Sequence, residues 1–171
     1  MTLKFLLDLI FPPVCLGCQS KSGDKVICES CFNKIELNQT LFCGECRARL
    51  PEARKTCHRD FPYLLGAAAN YGDETLKALI HGLKFNYLKS AAQPLGEILA
   101  RYTERLKLPL QSFVVVPVPL SGHRLRERGF NQSELIAGTF AAHFGLPLAS
   151  GVLTRPKNTK PQSETRDLTE R

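Results

Sequence analysis

A chain of 171 residues with 43% hydrophobic and 23% charged residues has the composition of a globular protein, long enough for one ordinary domain and a smaller one. Its formal net charge of +7 suits a phosphate-bearing partner, although a solvated basic surface gives the same excess. Seven cysteines are an odd number, which excludes a complete set of intramolecular disulfides, and their spacing in pairs favours metal binding.

The N-terminus predicts a short amphipathic helix from Leu3 to Phe11 that ends before Pro12 and Pro13. Asp8 interrupts the apolar run, and no small-residue cleavage site follows it. The run is also far shorter than the roughly 18 apolar residues of a membrane span. We therefore expect no signal peptide, no membrane span and a cytoplasmic protein.

Residues 12–60 contain an internal repeat of cysteine pairs. CLGC is followed nine residues later by CESC, and CGEC is followed ten residues later by CHRD. Two C-x2-C turns at this separation can supply the four thiolates of one tetrahedral zinc site. The first unit therefore predicts a zinc site, with redox thiols or separately buried cysteines as the alternatives; its ligands are Cys15, Cys18, Cys28 and Cys31.

The second unit ends in an aspartate where a fourth cysteine is expected. Cys43, Cys46 and Cys57 need one more ligand, and Asp60 or His58 could supply it, since carboxylate and imidazole both bind zinc. A site with four protein ligands has no open position for substrate. We expect both metals to be structural and to belong to an N-terminal module at residues 1–61.

Residues 62–171 have the pattern of an α/β domain. YLLGAAANY predicts a strand, followed by a helix from about Glu74 to Lys84 and a second helix over AAQPLGEILARYTERLK. SFVVVPVP is a continuous β-branched run, typical of a parallel strand covered on both faces. A third helix is expected from near Asn131 to Gly145. The last eighteen residues contain one leucine and no aromatic residue, and we expect a mobile loop or tail there.

The β-branched run opens into prolines and then arginines. In an open parallel sheet, ligands bind beyond the carboxyl ends of the strands. Ser121, Arg124, Arg126 and Arg128 would lie at such an end, where backbone N–H groups and guanidinium groups suit a phosphate or pyrophosphate. The alternative is that the arginines form a solvated helix face.

The order of these motifs resembles the ComF/GntX family, a double zinc ribbon joined to a type I phosphoribosyltransferase-like domain. The cysteine pairs are followed by LIHGLKF, VPVPLSGHRLRERGFNQSELIA and LTRPKNTKPQSETRDLTER. The resemblance implies an α/β fold in which the ribbon precedes a parallel sheet with flanking helices. It also implies phosphoribosyl pyrophosphate with magnesium as the ligand in a full-length relative, and a role linked to DNA uptake or nucleotide metabolism.

By the same resemblance, Pro119, Leu120 and Ser121 belong to the loop that faces pyrophosphate. Thr154 to Arg171 correspond to a flexible loop that closes over the site and excludes water. The candidate contacts in this loop are Lys157, Lys160, Gln162, Arg166 and Arg171.

The sequence departs from the family pattern in one respect. Relatives continue into a strand that ends in paired aspartates and a Thr/Gly-rich turn, which hold the ribose hydroxyls and the 5'-phosphate, whereas no D-D pair occurs here. We expect a partial phosphoribosyltransferase-like domain over residues 62–171 that has no transferase turnover by itself.

A different class of function is a non-catalytic module that binds single-stranded DNA or a DNA-translocating partner protein. Exposed aromatic rings among cations would favour it; the candidates are Phe85, Tyr87 and Phe130 beside Lys84, Lys89 and Arg128. Each ring could equally belong to the core. A third hypothesis is a nonfunctional fragment with a folded zinc ribbon. His81 is expected to be a packed or surface residue, and His123 could add to the anion site when protonated.

Overall fold

The computed structural model describes residues 12–50, 57–58 and 63–159. Within these ranges the elements in chain order are α1 (Glu29–Lys34), β1 (Leu41–Cys43), β2 (Arg49–Leu50), β3 (Leu64–Leu65), α2 (Glu74–Phe85), a 3-10 helix (Lys89–Ala91), α3 (Ala92–Arg105), α4 (Gly122–Arg128) and α5 (Gln132–Phe144). The helix predicted at the N-terminus lies outside the described residues. None of these helices is long and apolar enough to cross a membrane.

The three strands form one antiparallel sheet in the order β2-β1-β3. Leu41 of β1 lies opposite Leu50 of β2, and Cys43 lies opposite Leu64 of β3. The strand expected at YLLGAAANY therefore contributes two residues, and these pair with the cysteine-rich module. This is the one sheet among the described residues, and it is antiparallel. The expected parallel sheet is not confirmed.

The β-branched run at residues 113–119 does not form a strand. Val115 makes an isolated parallel bridge to Leu148, with its N–H donating to the Pro147 carbonyl at 2.9 Å. Val114 and Val118 are 52% and 64% exposed, so the expectation of a strand covered on both faces is wrong for this structure. The physical reason is that apolar side chains make a buried strand only where neighbouring strands supply hydrogen bonds and cover.

The three helices predicted after residue 62 are confirmed, and two of them, α2 and α5, have local end signals. The Asp73 side chain caps α2 by accepting the Leu76 N–H at 2.8 Å, and the Asn131 side chain caps α5 by accepting the Ser133 N–H at 3.1 Å. Gly145 ends α5 in the left-handed conformation with φ 64°. These caps satisfy backbone groups that have no partner inside the helix.

One hydrophobic core joins the cysteine-rich module to the helices. Cys15, Ile27 and Phe32 of the module belong to the same buried cluster as Leu79 of α2 and Ile98 of α3. Burial of this cluster removes apolar surface of both the module and the helices from water. The zinc module therefore packs directly on the helical part.

The crossing of α3 and α5 depends on a glycine. A Cβ added at Gly96 of α3 would lie 2.5 Å from the Thr139 Cβ and 3.0 Å from the Ile136 carbonyl oxygen of α5. Gly138 is also inside α5, but a Cβ there would meet no atom within 4 Å. Both glycines lie inside a helix, but only Gly138 has space for a Cβ atom.

We predict opposite effects of alanine at these two positions. Gly96→Ala should lower the free energy of unfolding by about 1–3 kcal/mol, because overpacking outweighs the better helix propensity of alanine. Gly138→Ala should raise it by up to about 1 kcal/mol, since only the propensity changes. Chemical denaturation of the zinc-loaded proteins measures both, and a Gly96→Ala protein as stable as Gly138→Ala would contradict the assigned packing.

Candidate metal centre

The first cysteine cluster brings four sulfur atoms together. The Sγ atoms of Cys15, Cys18, Cys28 and Cys31 all lie within 4.8 Å of one another. The Cys18 and Cys28 sulfurs are 3.8 Å apart, far beyond the roughly 2.05 Å of a disulfide bond. Zinc–sulfur bonds of about 2.3 Å in a tetrahedron place sulfurs about 3.8 Å apart, so the spacing fits zinc.

The first C-x2-C turn of each cluster, CLGC and CGEC, has the same backbone geometry. The Gln19 N–H donates to the Cys15 carbonyl at 2.9 Å, and the Arg47 N–H donates to the Cys43 carbonyl at 3.0 Å. Gln19 and Arg47, each directly after the second cysteine, both adopt positive φ, at 60° and 59°. The internal repeat seen in the sequence is thus a repeat of one local fold.

Backbone N–H groups surround the sulfur of Cys15. The N–H groups of Gly17 and Cys28 each lie 3.3 Å from the Cys15 Sγ. The Cys28 sulfur caps α1 by accepting the Cys31 N–H at 3.5 Å. Such donors stabilise a thiolate, which is the form that binds a metal. A Cβ on Gly17 would lie 3.0 Å from the Cys31 Sγ, so a glycine lets the turn approach the site.

The second cluster contains three cysteines and a histidine. The Cys43, Cys46 and Cys57 sulfurs and a ring nitrogen of His58 lie within 4.8 Å of one another. The His58 Nδ1 is 3.4 Å from the Cys43 Sγ, and the Cys46 and Cys57 sulfurs are 3.7 Å apart. Of the two fourth ligands that the sequence left open, the structure places His58 in the cluster. Asp60 lies outside the described residues.

Both clusters fit structural zinc. Each offers four soft or borderline ligands at tetrahedral spacing, and four protein ligands leave no position for a substrate or an activated water. Binding energy at such a site contributes to folding, since the unfolded chain has no preformed site. The chemistry that zinc supplies here is charge neutralisation between thiolates that would otherwise repel.

The thiols of the two clusters differ in pKa in the metal-free protein. Hydrogen bonds from the Ser20 side chain and N–H lower the pKa of Cys18 to about 6. The Cys46 N–H and the His58 side chain lower the pKa of Cys43 to about 6. Hydrogen bonding with neighbouring thiols, with burial, raises the pKa of Cys31 to about 12 and of Cys57 to about 11. Zinc must displace the protons that remain, so its affinity should rise with pH.

The arginine segment forms a short helix, α4, which the sequence offered only as the alternative interpretation. Ser121 is buried, with 2% of its surface exposed, and its hydroxyl oxygen accepts the Arg124 N–H at 3.4 Å. Gly129 ends the helix in the left-handed conformation with φ 75°. A serine before the arginines and a glycine after them were start and stop signals that could have predicted this helix.

The arginines of α4 point to different partners. Arg124 donates to the Thr159 carbonyl at 2.8 Å, and Arg128 donates to the Gln132 Oε1 at 2.6 Å. Arg126 is exposed, and its guanidinium lies 3.5 Å from where a Cβ on Gly122 would be. Pro119 and Leu120, which precede the helix, are partly buried.

The start of the expected flexible loop contacts this segment. The Ser121 hydroxyl donates to the Asn158 Oδ1 at 2.9 Å, and Ser121 also forms a parallel bridge with Arg155. Sequence reasoning missed Asn158, which has no charge to mark it. Lys157 is exposed. The remaining loop candidates lie outside the described residues; they are Lys160, Gln162, Arg166 and Arg171.

We predict two zinc ions per purified chain and a selective effect of His58. His58→Ala should make one of the two zinc ions easier to remove with a chelator, because one cluster loses its fourth ligand. Asp60→Asn should leave both ions as firmly bound as in the parent. Zinc release followed with a colorimetric indicator measures this, with His123→Ala as the control. Weakened binding in Asp60→Asn and not in His58→Ala would assign the ligand to Asp60.

Comparison with known proteins agrees with the two clusters. The Double zinc ribbon domain family matches residues 6–59. Competence protein F of Haemophilus influenzae is 26% identical over 155 residues, covering 87% of this chain and 62% of that protein. DNA utilization protein YhgH of Escherichia coli K12 is 30% identical over 156 residues, covering 87% of this chain and 63% of that protein. No solved structure gave a significant match.

The chain thus spans somewhat under two thirds of the length of these curated relatives. Each match covers 87% of the chain and so extends well beyond the cysteine-rich module. The protein has a double zinc ribbon and is homologous to competence protein F and YhgH over most of its length, which is consistent with the ComF family.

Proposed function

We propose that this protein acts in the handling of DNA during its uptake or utilization, with zinc in a structural role. The observation that carries the proposal is the homology to competence protein F and DNA utilization protein YhgH over 87% of the chain. The closed geometry of both metal clusters supports a structural metal, since neither leaves a position for substrate. A DNA-translocating protein is the partner class that this role implies.

The segment from Pro119 to Arg128 is the proposed site for a phosphate-bearing ligand. Three guanidinium groups lie within one seven-residue helix, and no described carboxylate is ion-paired with any of them. The Ser121 hydroxyl donates to the Asn158 Oδ1, and the Arg124 guanidinium donates to the Thr159 carbonyl. A phosphate oxygen could take the place of either acceptor. Guanidinium groups bind phosphate through paired N–H donors.

Phosphoribosyl pyrophosphate with magnesium is the proposed ligand class, on the resemblance to phosphoribosyltransferase-like relatives. The arginines would hold the pyrophosphate, Ser121 would anchor the loop from within the core, and Lys157 would add charge from the adjoining segment. Removal of water by that segment would strengthen each of these contacts. Transferase chemistry is not part of the proposal for this chain.

We predict that replacing Arg124, Arg126 and Arg128 together by glutamine weakens binding of magnesium pyrophosphate and of phosphoribosyl pyrophosphate at least about tenfold. Hydrogen bonds to charged groups contribute about 1.5–3 kcal/mol each, so losing three should be measurable. Isothermal titration calorimetry gives the dissociation constants. The matched control replaces three exposed lysines elsewhere, Lys25, Lys34 and Lys77, by glutamine. If the two triple variants bound these ligands with equal affinity, the arginines would be a solvated helix face and not a phosphate site.

The role in DNA handling is tested in cells. We predict that this chain restores DNA utilization to Escherichia coli lacking YhgH, and that Cys28→Ser does not, because the first zinc site loses a ligand that also caps α1. Ser30→Ala, at an exposed position of α1 that belongs to neither cluster, is the control and should restore it. Failure of the parent chain, when expressed, folded and zinc-loaded, would contradict the proposed role.

A further inference from the structure

A second basic surface, separate from the arginine helix, lies where α2 ends. Lys84, Phe85, Asn86 and Tyr87 are consecutive exposed residues, and Lys89 beyond them is exposed too. Phe85 is 59% exposed and Tyr87 is 49% exposed, which is unusual for two large aromatic side chains so close in the chain. We call residues 84–89 the KFNY turn.

Backbone hydrogen bonds hold the KFNY turn against the folded protein. The Leu88 N–H donates to the Gly82 carbonyl at 3.0 Å, and the Ala91 N–H donates to the Leu88 carbonyl at 3.0 Å. A Cβ on Gly82 would lie 3.3 Å from the Leu16 Cδ1 and 3.7 Å from the Leu88 Cδ2, so both leucines pack beside this glycine. Both flanks of the turn are therefore held by the folded protein, and the exposed aromatic side chains are presented from a fixed backbone.

Tyr87 adopts an unfavourable backbone conformation. Its φ is 55°, in the left-handed region that favours glycine. A bulky residue persists there only where the surrounding structure holds it, and such strain concentrates at binding and catalytic sites. A glycine at this position would relieve the strain but would remove the ring.

The chain segment that contains the turn carries charge of one sign. Residues 75–96 contain three lysines and no aspartate or glutamate. Lys77 is ion-paired with Glu74 at 3.4 Å, but no described carboxylate is paired with Lys84 or Lys89. The Lys89 Nζ lies 5.2 Å from the centre of the Phe130 ring, which is a cation–π contact. A polyanion is the complementary ligand.

His81 adds a third ring to the aromatic set. Its imidazole lies 4.8 Å from the Phe85 ring, centre to centre, with the two planes tilted by 42°. The contact supports one face of Phe85 and leaves the side chain more than half exposed. Flat rings interleaved with cations are the pattern by which proteins bind unpaired bases and their phosphates together.

We propose that the KFNY turn binds single-stranded DNA, with bases stacked on Phe85 and Tyr87 and backbone phosphates beside Lys84 and Lys89. The choice of DNA rests on the proposed function. A duplex would not fit, because its bases already stack on one another and hide their faces. This surface contacts bases, whereas the arginine helix would contact only phosphate groups.

The test is binding of a short fluorescent oligothymidylate to the full zinc-loaded chain, followed by anisotropy over a range of salt concentrations. We expect the double variant Phe85→Leu with Tyr87→Leu to bind at least about tenfold more weakly, since it keeps apolar bulk but loses two stacking faces. Its salt dependence should be unchanged. Replacing Lys84 and Lys89 by glutamine should instead flatten the slope of log K against log salt by about 0.7 for each lysine.

Two further variants test whether the fold is intact and whether the rings must lie in the KFNY turn. Exchanging the two rings, Phe85→Tyr with Tyr87→Phe, should retain the parent affinity. Phe113→Leu removes a ring that is also 59% exposed but lies outside the turn, and should retain it too. Thermal melting of each variant checks that the fold is intact.

The inference is overturned if the leucine double variant binds the oligonucleotide as the parent does, or if Phe113→Leu weakens binding equally. It is also overturned if an abasic oligonucleotide binds as tightly as oligothymidylate, because the surface would then recognise charge alone. None of these outcomes changes pyrophosphate binding by the arginine helix or the complementation of YhgH, so the two proposals fail separately.

Discussion

The convergence of thiols at the two cysteine clusters is the constraint on which the N-terminal module depends. Four sulfurs within 4.8 Å, two of them buried in the first cluster, cannot all carry negative charge unless a cation lies between them. Zinc resolves this conflict and turns two separate turns into one closed unit. The repeated backbone geometry at Gln19 and Arg47 indicates that the same solution is used twice.

Helix α3 connects the cysteine-rich module to the rest of the protein. The Tyr102 hydroxyl donates to the Thr40 carbonyl at 2.7 Å, and the Arg101 guanidinium lies 4.5 Å from the centre of the Phe32 ring. On its other side α3 meets α5, where Gly96 allows close approach to Thr139. Loss of the metal would therefore disturb one face of the helix that also supports α5.

The proposed binding functions fall on surfaces outside the zinc clusters. The arginine helix and the KFNY turn are both basic, but they differ in what they could recognise. Arg126 and its neighbours in α4 offer guanidinium hydrogen bonds and no phenylalanine, tyrosine or tryptophan ring, which suits phosphate groups. Phe85 and Tyr87 offer ring faces, which suit unpaired bases. In the proposed role, one surface would hold a small phosphate-bearing ligand while the other holds the nucleic acid.

The sequence by itself determined the features that are encoded within a few residues. The C-x2-C spacing predicted the cysteine clusters, and Asp73, Asn131 and Gly145 marked helix ends that the structure confirms. These signals succeed because a cap or a metal-binding turn is made by neighbours in the chain. The helix at Ser121 had the same kind of signal, in a capping serine and a terminal glycine.

Tertiary structure decided the features that depend on residues distant in sequence. Phe85 and Phe130 both stand among cations in the sequence, yet one is 59% exposed and the other only 8%. Spacing left the fourth ligand of the second cluster open, and the fold places His58 there. The run at residues 113–119 has the side chains of a buried strand but not the neighbours. Burial, ligation and strand pairing require contacts between separate segments, and composition along one segment cannot supply them.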